Sequence, residues 1–167
     1  MKLQAPFRLQ APFRLQAPFR LQAPFALQAL FALAARLLLA LIFVVEGWGK
    51  LLNYSGTLQY MDHHGVPGIL LPLVILTELG GGLLVAFGFL TRIAAFALAG
   101  FCLLTALLFH GRFSDPGELI QFYKDVAMAG GFLALVAFGA GGWSVDGLAR
   151  LSELPDMPSG EAREQRG

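Results

Sequence analysis

Charged residues are scarce in this chain, and their scarcity excludes an ordinary soluble domain. Only 14% of its 167 residues are Asp, Glu, Lys or Arg, whereas 56% are hydrophobic. A soluble domain of this length keeps about a quarter of its residues charged, because its surface must face water. The few charges stand in clusters between long apolar runs. We therefore predict an integral membrane protein.

Cysteine and clustered basic residues are scarce as well. Cys102 is the sole cysteine, so one chain can form neither a disulfide, nor a CxxC redox pair, nor a cysteine-based zinc site. The formal net charge is +1 and no dense Lys/Arg patch occurs, which argues against nucleic acid as a partner. No small-x-small sequence follows the apolar run that ends at Val45, so we expect no cleavable signal peptide.

A six-residue repeat occupies the N-terminal region. The unit LQAPFR occurs three times between Leu3 and Arg20, followed by LQAPFA over 21–26 and a decayed LQALFA over 27–32. A proline every six residues prevents a continuous α-helix, so we predict a flexible or extended arm over residues 1–26. Its arginines and phenylalanines suit contact with anionic headgroups. An expansion of the coding sequence, dispensable to the protein, is the favoured interpretation.

Four apolar stretches are long enough to cross a bilayer, whose hydrocarbon core of ~30 Å needs about 20 helical residues. The predicted fold class is all-α, an integral membrane four-helix bundle. A polar tail over residues 148–167 follows the predicted transmembrane domain of residues 27–147. The predicted helices lie at about 29–52, 68–90, 92–110 and 122–143.

The distribution of cations predicts the orientation. An even number of spans puts both termini on one side of the membrane, and basic residues mark the cytoplasmic side. Nine cations fall on the side of the termini, and three, Lys50, Arg112 and Lys124, fall on the other. We therefore predict a multi-pass protein of the cell (inner or plasma) membrane with both termini in the cytoplasm.

Ionisable residues of the spans lie mostly towards the predicted outer face. Such a group in hydrocarbon costs about 3 kcal/mol or more, and it is tolerated where it is paired or faces an internal cavity. We therefore predict an outer-face polar pocket. Its candidate ligand-binding residues are Glu46, Lys50, Glu78, His110, Lys124 and Asp125.

Glu78 is the deepest of these residues. It lies about ten residues into the second span, or ~15 Å along the helix axis. The carboxyl group is either neutral and hydrogen-bonded or paired with Lys50 or Lys124. Both states would hold helices together. A more specific functional interpretation of Glu78 is a proton relay or a ligand contact. Glu46 and Lys50 are four residues apart and can form a structural ion pair on one helix face, which is compatible with ligand binding.

Three histidines, His63, His64 and His110, raise the question of a metal or haem site. Adjacent His63 and His64 point in different directions on any regular backbone, and the sequence from His64 to Pro67 is typical of a turn. A solvated loop is therefore the better interpretation, and we predict no metal site.

Small residues predict where the helices pack closely. Gly81 and Gly82 of the second span lie near Glu78, and Gly130 and Gly131 of the fourth span lie within two turns of Lys124. Small residues let two backbones approach each other in a membrane. We infer that the second and fourth spans pack together.

Four short sequence patterns occur in order along the four spans. They are Arg36 with the apolar run to Gly47-Trp48-Gly49-Lys50, then Glu78-Leu79-Gly80-Gly81-Gly82, Gly88-Phe89-Leu90-Thr91-Arg92, and Phe122-Tyr123-Lys124-Asp125 leading to Gly130-Gly131. Together they resemble the DoxX family of small four-helix membrane proteins, over about residues 34–147. That family often has Asn after the lysine of the fourth helix, where this chain has Asp125. The LQAPFR repeat has no counterpart in it.

The resemblance implies a link to redox enzymes, because the family takes its name from a quinol oxidase subunit. We expect an accessory or anchor subunit of an oxidoreductase, quinone-linked or related to redox stress, that is not an enzyme on its own. Quinone is the cofactor that this implies, and the expected partners are the lipid bilayer, an oxidoreductase subunit and a second copy of the chain. One alternative is a small transporter or proton-conducting module with Glu78 as the gating acid, and another is a purely structural anchor.

Overall fold

Six helices form the part of the chain that the structure, a computed structural model, describes: residues 25–111 and 113–152. They are α1 (Phe25–Leu52), α2 (Tyr54–His63), α3 (Gly68–Phe87), α4 (Thr91–Phe109), α5 (Pro116–Phe138) and α6 (Val145–Ser152). These residues contain no strand, which confirms the all-α class. Almost all of the predicted repeat arm and most of the predicted tail lie outside the described residues.

Four of these helices, α1, α3, α4 and α5, are long and apolar enough to cross a membrane, which confirms the predicted spans. Their exposed faces carry large apolar side chains. Leu38 of α1 is 72% exposed, and Leu76, Phe96 and Ile120 of the other three are each 67% exposed. Lipid solvates such a belt, whereas water would drive it to aggregate.

The helix ends depart from the predicted bounds for local reasons. α3 ends at Phe87 rather than at 90, because Gly88 follows in the left-handed conformation with φ of 70°. α5 begins at Pro116 rather than at 122, because the Asp115 carboxylate accepts a hydrogen bond of 2.8 Å from the Gly117 amide and caps the helix. It ends at Phe138 rather than at 143, before Gly139 with φ of 80°.

Other differences concern the ends of the predicted domains. Within the described residues α1 extends from Phe25, four residues before the predicted start at 29. α4 lies within one residue of its predicted bounds. The first residues of the predicted polar tail belong to α6, which presents Leu148 and Leu151 on one exposed face and Arg150 on another.

The larger of two buried apolar clusters lies towards one end of the bundle. We call the end that holds Phe25 and Phe138 the terminal end, and the opposite end, which holds α2, the distal end. Towards the terminal end the spans bury small and aromatic residues, and Phe43 of α1 meets Phe132 of α5 edge to face at 5.2 Å between ring centroids. This apolar core separates the terminal end from the polar residues of the distal half.

Glycines set the close contacts of α1, and they correct the predicted helix pairing. A Cβ atom at Gly82 of α3 would lie 3.2 Å from the Phe43 Cβ of α1, and one at Gly131 of α5 would lie 3.1 Å from the Leu39 side chain of α1. Gly81 faces Leu98 of α4 instead. α3 therefore packs on α1 and α4 rather than on α5, whose main partner is α4. The predicted pairing of spans two and four is wrong, since small-residue spacing marks a close contact without identifying the partner.

The predicted packing role of Gly130 is also wrong. It is exposed, and a Cβ atom built on it would meet nothing within 4 Å. The packing role belongs to its neighbour Gly131. A second close contact was not predicted. A Cβ atom at Gly47 of α1 would lie 2.8 Å from the Leu79 backbone nitrogen of α3. Gly47 and Gly82 thus bring the backbones of α1 and α3 together on two successive turns.

Two polar residues close the terminal end, the buried Arg36 and the half-buried Asp146. The guanidinium group of Arg36, 1% exposed, donates hydrogen bonds to the carbonyl oxygens of Trp143 and Ala86. The Asp146 carboxylate of α6 accepts hydrogen bonds from the backbone amides of Leu90 (2.9 Å) and Thr91 (3.0 Å), which begin α4. These contacts attach the segment after α5 to the turn between α3 and α4.

Candidate functional site

A cavity of about 680 Å³ occupies the distal half of the bundle. It lies between the second half of α1, the first half of α3, the second half of α4 and the first half of α5, and α2 covers it. Aromatic and aliphatic side chains form much of its wall. All six candidate ligand-binding residues predicted from the sequence line it: Glu46, Lys50, Glu78, His110, Lys124 and Asp125.

Glu78 forms the floor of the cavity on α3. It stands in a π-helical turn, Leu76–Gly80, which is a local widening that is frequent at functional sites. Its side chain is 8% exposed, and one carboxylate oxygen lies 2.8 Å from the Lys50 Nζ of α1. Lys50 also contacts the more exposed Glu46 at 3.3 Å. Of the alternatives left open for Glu78, the structure has the ion pair with Lys50, and that pair joins α1 to α3.

A second ionic cluster faces Glu78 from α4 and α5. The Nδ1 atom of His110 lies 2.8 Å from a carboxylate oxygen of Glu118, and its Nε2 atom lies 3.9 Å from Asp125. Asp125, which is buried, also accepts a hydrogen bond of 3.3 Å from the Thr105 hydroxyl and lies 3.7 Å from the Lys124 Nζ. Each carboxylate of this cluster therefore has a hydrogen-bond or ionic partner on another residue.

The predicted turn from His64 to Pro67 is confirmed, but the stretch between it and the first span, which was placed outside the predicted helices, is largely helical and covers the cavity. Most of that stretch forms α2, in which the Tyr60 ring stacks on Phe109 of α4 with 5.5 Å between centroids and planes within 10°. His64 follows α2, and its ring lies 5.2 Å from that of Phe109, so this histidine packs against the bundle. Among the described residues, no group of three His, Cys, Asp or Glu side chains could hold a metal ion.

Comparison with known proteins identifies the family. The sequence model of the DoxX family matches residues 31–111. The inner membrane protein YqjF of Escherichia coli (strain K12) is 51% identical over 113 residues, which are 68% of this chain and 87% of YqjF. The chain belongs to the DoxX family. No solved structure matches the chain.

Two further relatives bear on the DoxX assignment. The inner membrane protein YphA of E. coli is 34% identical over 118 residues, 66% of this chain and 84% of YphA. A protein of Bacillus subtilis (strain 168), named "Putative oxidoreductase CatD", is 36% identical over 64 residues, 38% of this chain and 48% of CatD. The match to CatD thus covers less than half of either protein.

The four patterns that suggested the DoxX family fall at two places in the fold. The pattern that ends at Lys50 and the patterns around Glu78 and Lys124 contribute to the cavity. The pattern from Gly88 to Arg92 forms the turn between α3 and α4, where Leu90 has a positive φ of 47° and Asp146 holds the amides. In this DoxX protein the first pattern reaches both places, because it begins at Arg36 in the terminal closure and ends at Lys50 in the cavity wall.

Several cavity residues were missed by sequence reasoning. Thr105 is one of two hydroxyl residues in the apolar helix α4, and such residues commonly bond their own helix backbone, as this one also does to Phe101. Tyr60 and Asn53 line the cavity from α2 and the residue before it, which were interpreted as a loop. Glu118 does not line the cavity, and its contact with His110 was not predicted, because that contact lies across an interhelical turn that hydropathy does not describe.

Proposed function

We propose that this DoxX protein is a non-catalytic membrane subunit of an oxidoreductase and that its distal cavity binds a quinone-like molecule. One observation carries the proposal: the six ionisable residues line a single cavity of about 680 Å³ whose wall is otherwise largely apolar. Binding sites for small molecules combine an apolar wall with a few polar groups that fix orientation. The size is within the usual range of such sites, ~300–1,000 Å³.

The residues present fit a quinone ring. Its carbonyl oxygens need hydrogen-bond donors, and Lys50, Lys124 and His110 supply N–H groups to the cavity. Its flat apolar ring needs aromatic neighbours, and Tyr60 and Phe101 lie in the same wall. A bound quinone supplies two-electron redox chemistry, whereas the protein orients the ring and excludes water.

The oxidoreductase link rests on kinship. The name of CatD describes an oxidoreductase, and the DoxX family, which takes its name from a quinol oxidase subunit, points the same way. We propose that the electrons come from a partner chain. The names of YqjF and YphA support a cytoplasmic membrane location, and we propose that both termini face the cytoplasm.

A proton-conducting module is the second candidate, because Glu78 and Asp125 are buried carboxylates within the spans. The apolar core argues against it. Between these residues and the terminal end lie Val85, Leu98 and Phe132, each 0% exposed, so a proton would have to cross a dry layer. A purely structural anchor remains the third candidate.

Binding is tested on the purified protein in lipid nanodiscs. Organic extraction with an ultraviolet spectrum detects quinone that co-purifies, and titration with a benzoquinone bearing a decyl chain measures affinity. Lys124→Met should weaken that binding roughly tenfold, since a hydrogen bond to a charged group contributes about 1.5–3 kcal/mol. Asp62→Asn is the control, because Asp62 is exposed at the distal end and is not part of the cavity wall.

Other outcomes would select another candidate. If the decyl-benzoquinone does not bind and organic extraction yields no quinone, the quinone proposal is overturned. Proton flux in proteoliposomes that Glu78→Gln abolishes would then favour the conducting module. A partner enzyme that co-purifies equally well with Glu78→Gln would favour the structural anchor.

A further inference from the structure

The wall of the distal cavity is open on an apolar flank. A side chain that lines the cavity and is also about half exposed stands at a mouth. Leu70 of α3 and Leu104 and Leu108 of α4 all line the cavity, and they are 41%, 54% and 46% exposed. Leu104 and Leu108 are one turn apart on one face of α4. We call these three residues the apolar window.

The window opens between α3 and α4. Leu98 of α4 lies against Gly81 of α3, which marks the flank of α4 that faces α3. α4 also packs along α5, its main partner. Leu70 belongs to α3 and Leu104 and Leu108 belong to α4, so these two helices border the window.

A second mouth of opposite character lies between α1 and α5. It is bordered by the Glu46 side chain, 61% exposed, and the Lys124 side chain, 38% exposed. Exposed charges at this depth require water or headgroups beside them. This mouth thus carries charged side chains beside Val45, which also lines the cavity and is 58% exposed, whereas the apolar window is bordered by leucines.

We infer that the ligand of the cavity is a chain-bearing amphiphile that enters from the lipid through the apolar window. Its polar head lies among Lys50, Glu78 and Lys124, and its chain extends between α3 and α4. This inference rests on the proposed function for the redox nature of the head group. A water-soluble compound of the same head chemistry would gain nothing from the window, because it has no chain to place between α3 and α4.

A thiol placed inside the cavity tests the entry route without any quinone. Thr105→Cys on a Cys102→Ala background gives a single reactive site, and the protein in nanodiscs is treated with a maleimide bearing a dodecyl chain or with a sulfonated maleimide. Leu104→Trp fills the window, and Leu103→Trp is the matched control, since Leu103 is 43% exposed but is not part of the cavity wall.

Leu104→Trp should slow the dodecyl reagent roughly tenfold and leave the sulfonated reagent unchanged, while Leu103→Trp should slow neither. An unchanged dodecyl rate, or an equal loss of both rates, would overturn the inference. If Thr105→Cys does not fold, Met128→Cys on α5 also lines the cavity and repeats the measurement. Failure of quinone to bind would reject the proposed function alone, because the thiol reaction does not depend on it.

Discussion

At the scale of single residues, the pair of Lys50 and Glu78 decides whether the cavity can exist. Glu78 is buried and its oxygen lies 2.8 Å from Lys50, whose side chain is 21% exposed. Removing one member of a buried pair leaves an uncompensated charge, which costs more than removing both. The pair is therefore expected to hold α1 and α3 together as well as to present polar groups to a ligand.

Lys50→Met should lower the free energy of unfolding by about 3 kcal/mol, because Glu78 would remain buried without its cation. Lys50→Met combined with Glu78→Gln should recover at least half of that loss. Unfolding followed by circular dichroism in detergent measures both variants. Equal losses in the single and the double variant would mean that the pair contributes nothing to stability.

Alanine substitutions at Gly47 and Gly130 test which glycines lie at a close contact between helices. A Cβ atom at Gly47 would lie 2.8 Å from the Leu79 nitrogen, so Gly47→Ala must push α1 away from α3 and should cost about 1–3 kcal/mol. Gly130→Ala meets open space and should gain up to about 1 kcal/mol through helix propensity. Thermal midpoints in one detergent compare the two variants, and a similar midpoint for both would contradict the packing of α1 on α3.

At the scale of helices, hydropathy predicted the four spans because lipid demands long apolar helices and leaves few alternatives. The order of helix contacts was not predicted, because α1, α3, α4 and α5 all carry small residues. The short helix α2 was missed, because its sequence from Tyr54 to His63 is polar and its stability depends on Met61 and Tyr60 packing against the bundle. The six cavity residues were predicted because charges in a membrane protein must meet one another or a cavity.

Asp146 joins α6 to the start of α4, outside the spans. Burial alone would raise the pKa of this carboxyl group, but hydrogen bonds from the Thr91 and Leu90 amides and the nearby Arg150 outweigh burial, and the pKa is lowered. A lowered pKa in the folded state means that the stabilisation is complete above the pKa of the unfolded state, about 3.9, and is lost as the pH falls through the folded value.

Asp146→Ala should therefore cost about 0.5–2 kcal/mol at neutral pH, as the loss of a helix cap does. The difference from the unmodified protein should begin to shrink as the pH falls below about 4, the pKa of an unfolded aspartate, and should be lost below the lowered pKa of the folded Asp146. Unfolding in detergent at several pH values measures this convergence. Asp62→Ala is the control and should show no such difference, and a constant gap for Asp146→Ala at all pH values would contradict the assigned role.

At the scale of the whole molecule, the two ends of the bundle differ in chemistry. The terminal end is closed by Arg36 and Asp146 through hydrogen bonds to backbone groups, and the distal end holds the cavity with its ionic clusters. If the termini are cytoplasmic, the polar mouth of the cavity faces the outer side of the membrane, and a partner enzyme that exchanges electrons with the ligand has to act there. Orientation therefore decides which partners are accessible.

Cysteine labelling tests this orientation. His64→Cys and Ser159→Cys, each on a Cys102→Ala background, place a thiol beside α2 and in the C-terminal tail. The excess of cations on the terminal side predicts that a membrane-impermeant maleimide labels intact cells at His64→Cys only, and labels Ser159→Cys only after the membrane is opened. Labelling of Ser159→Cys in intact cells would show that the orientation is the reverse of the predicted one. The cavity would then open towards the cytoplasm, where a soluble reductase could reach it directly.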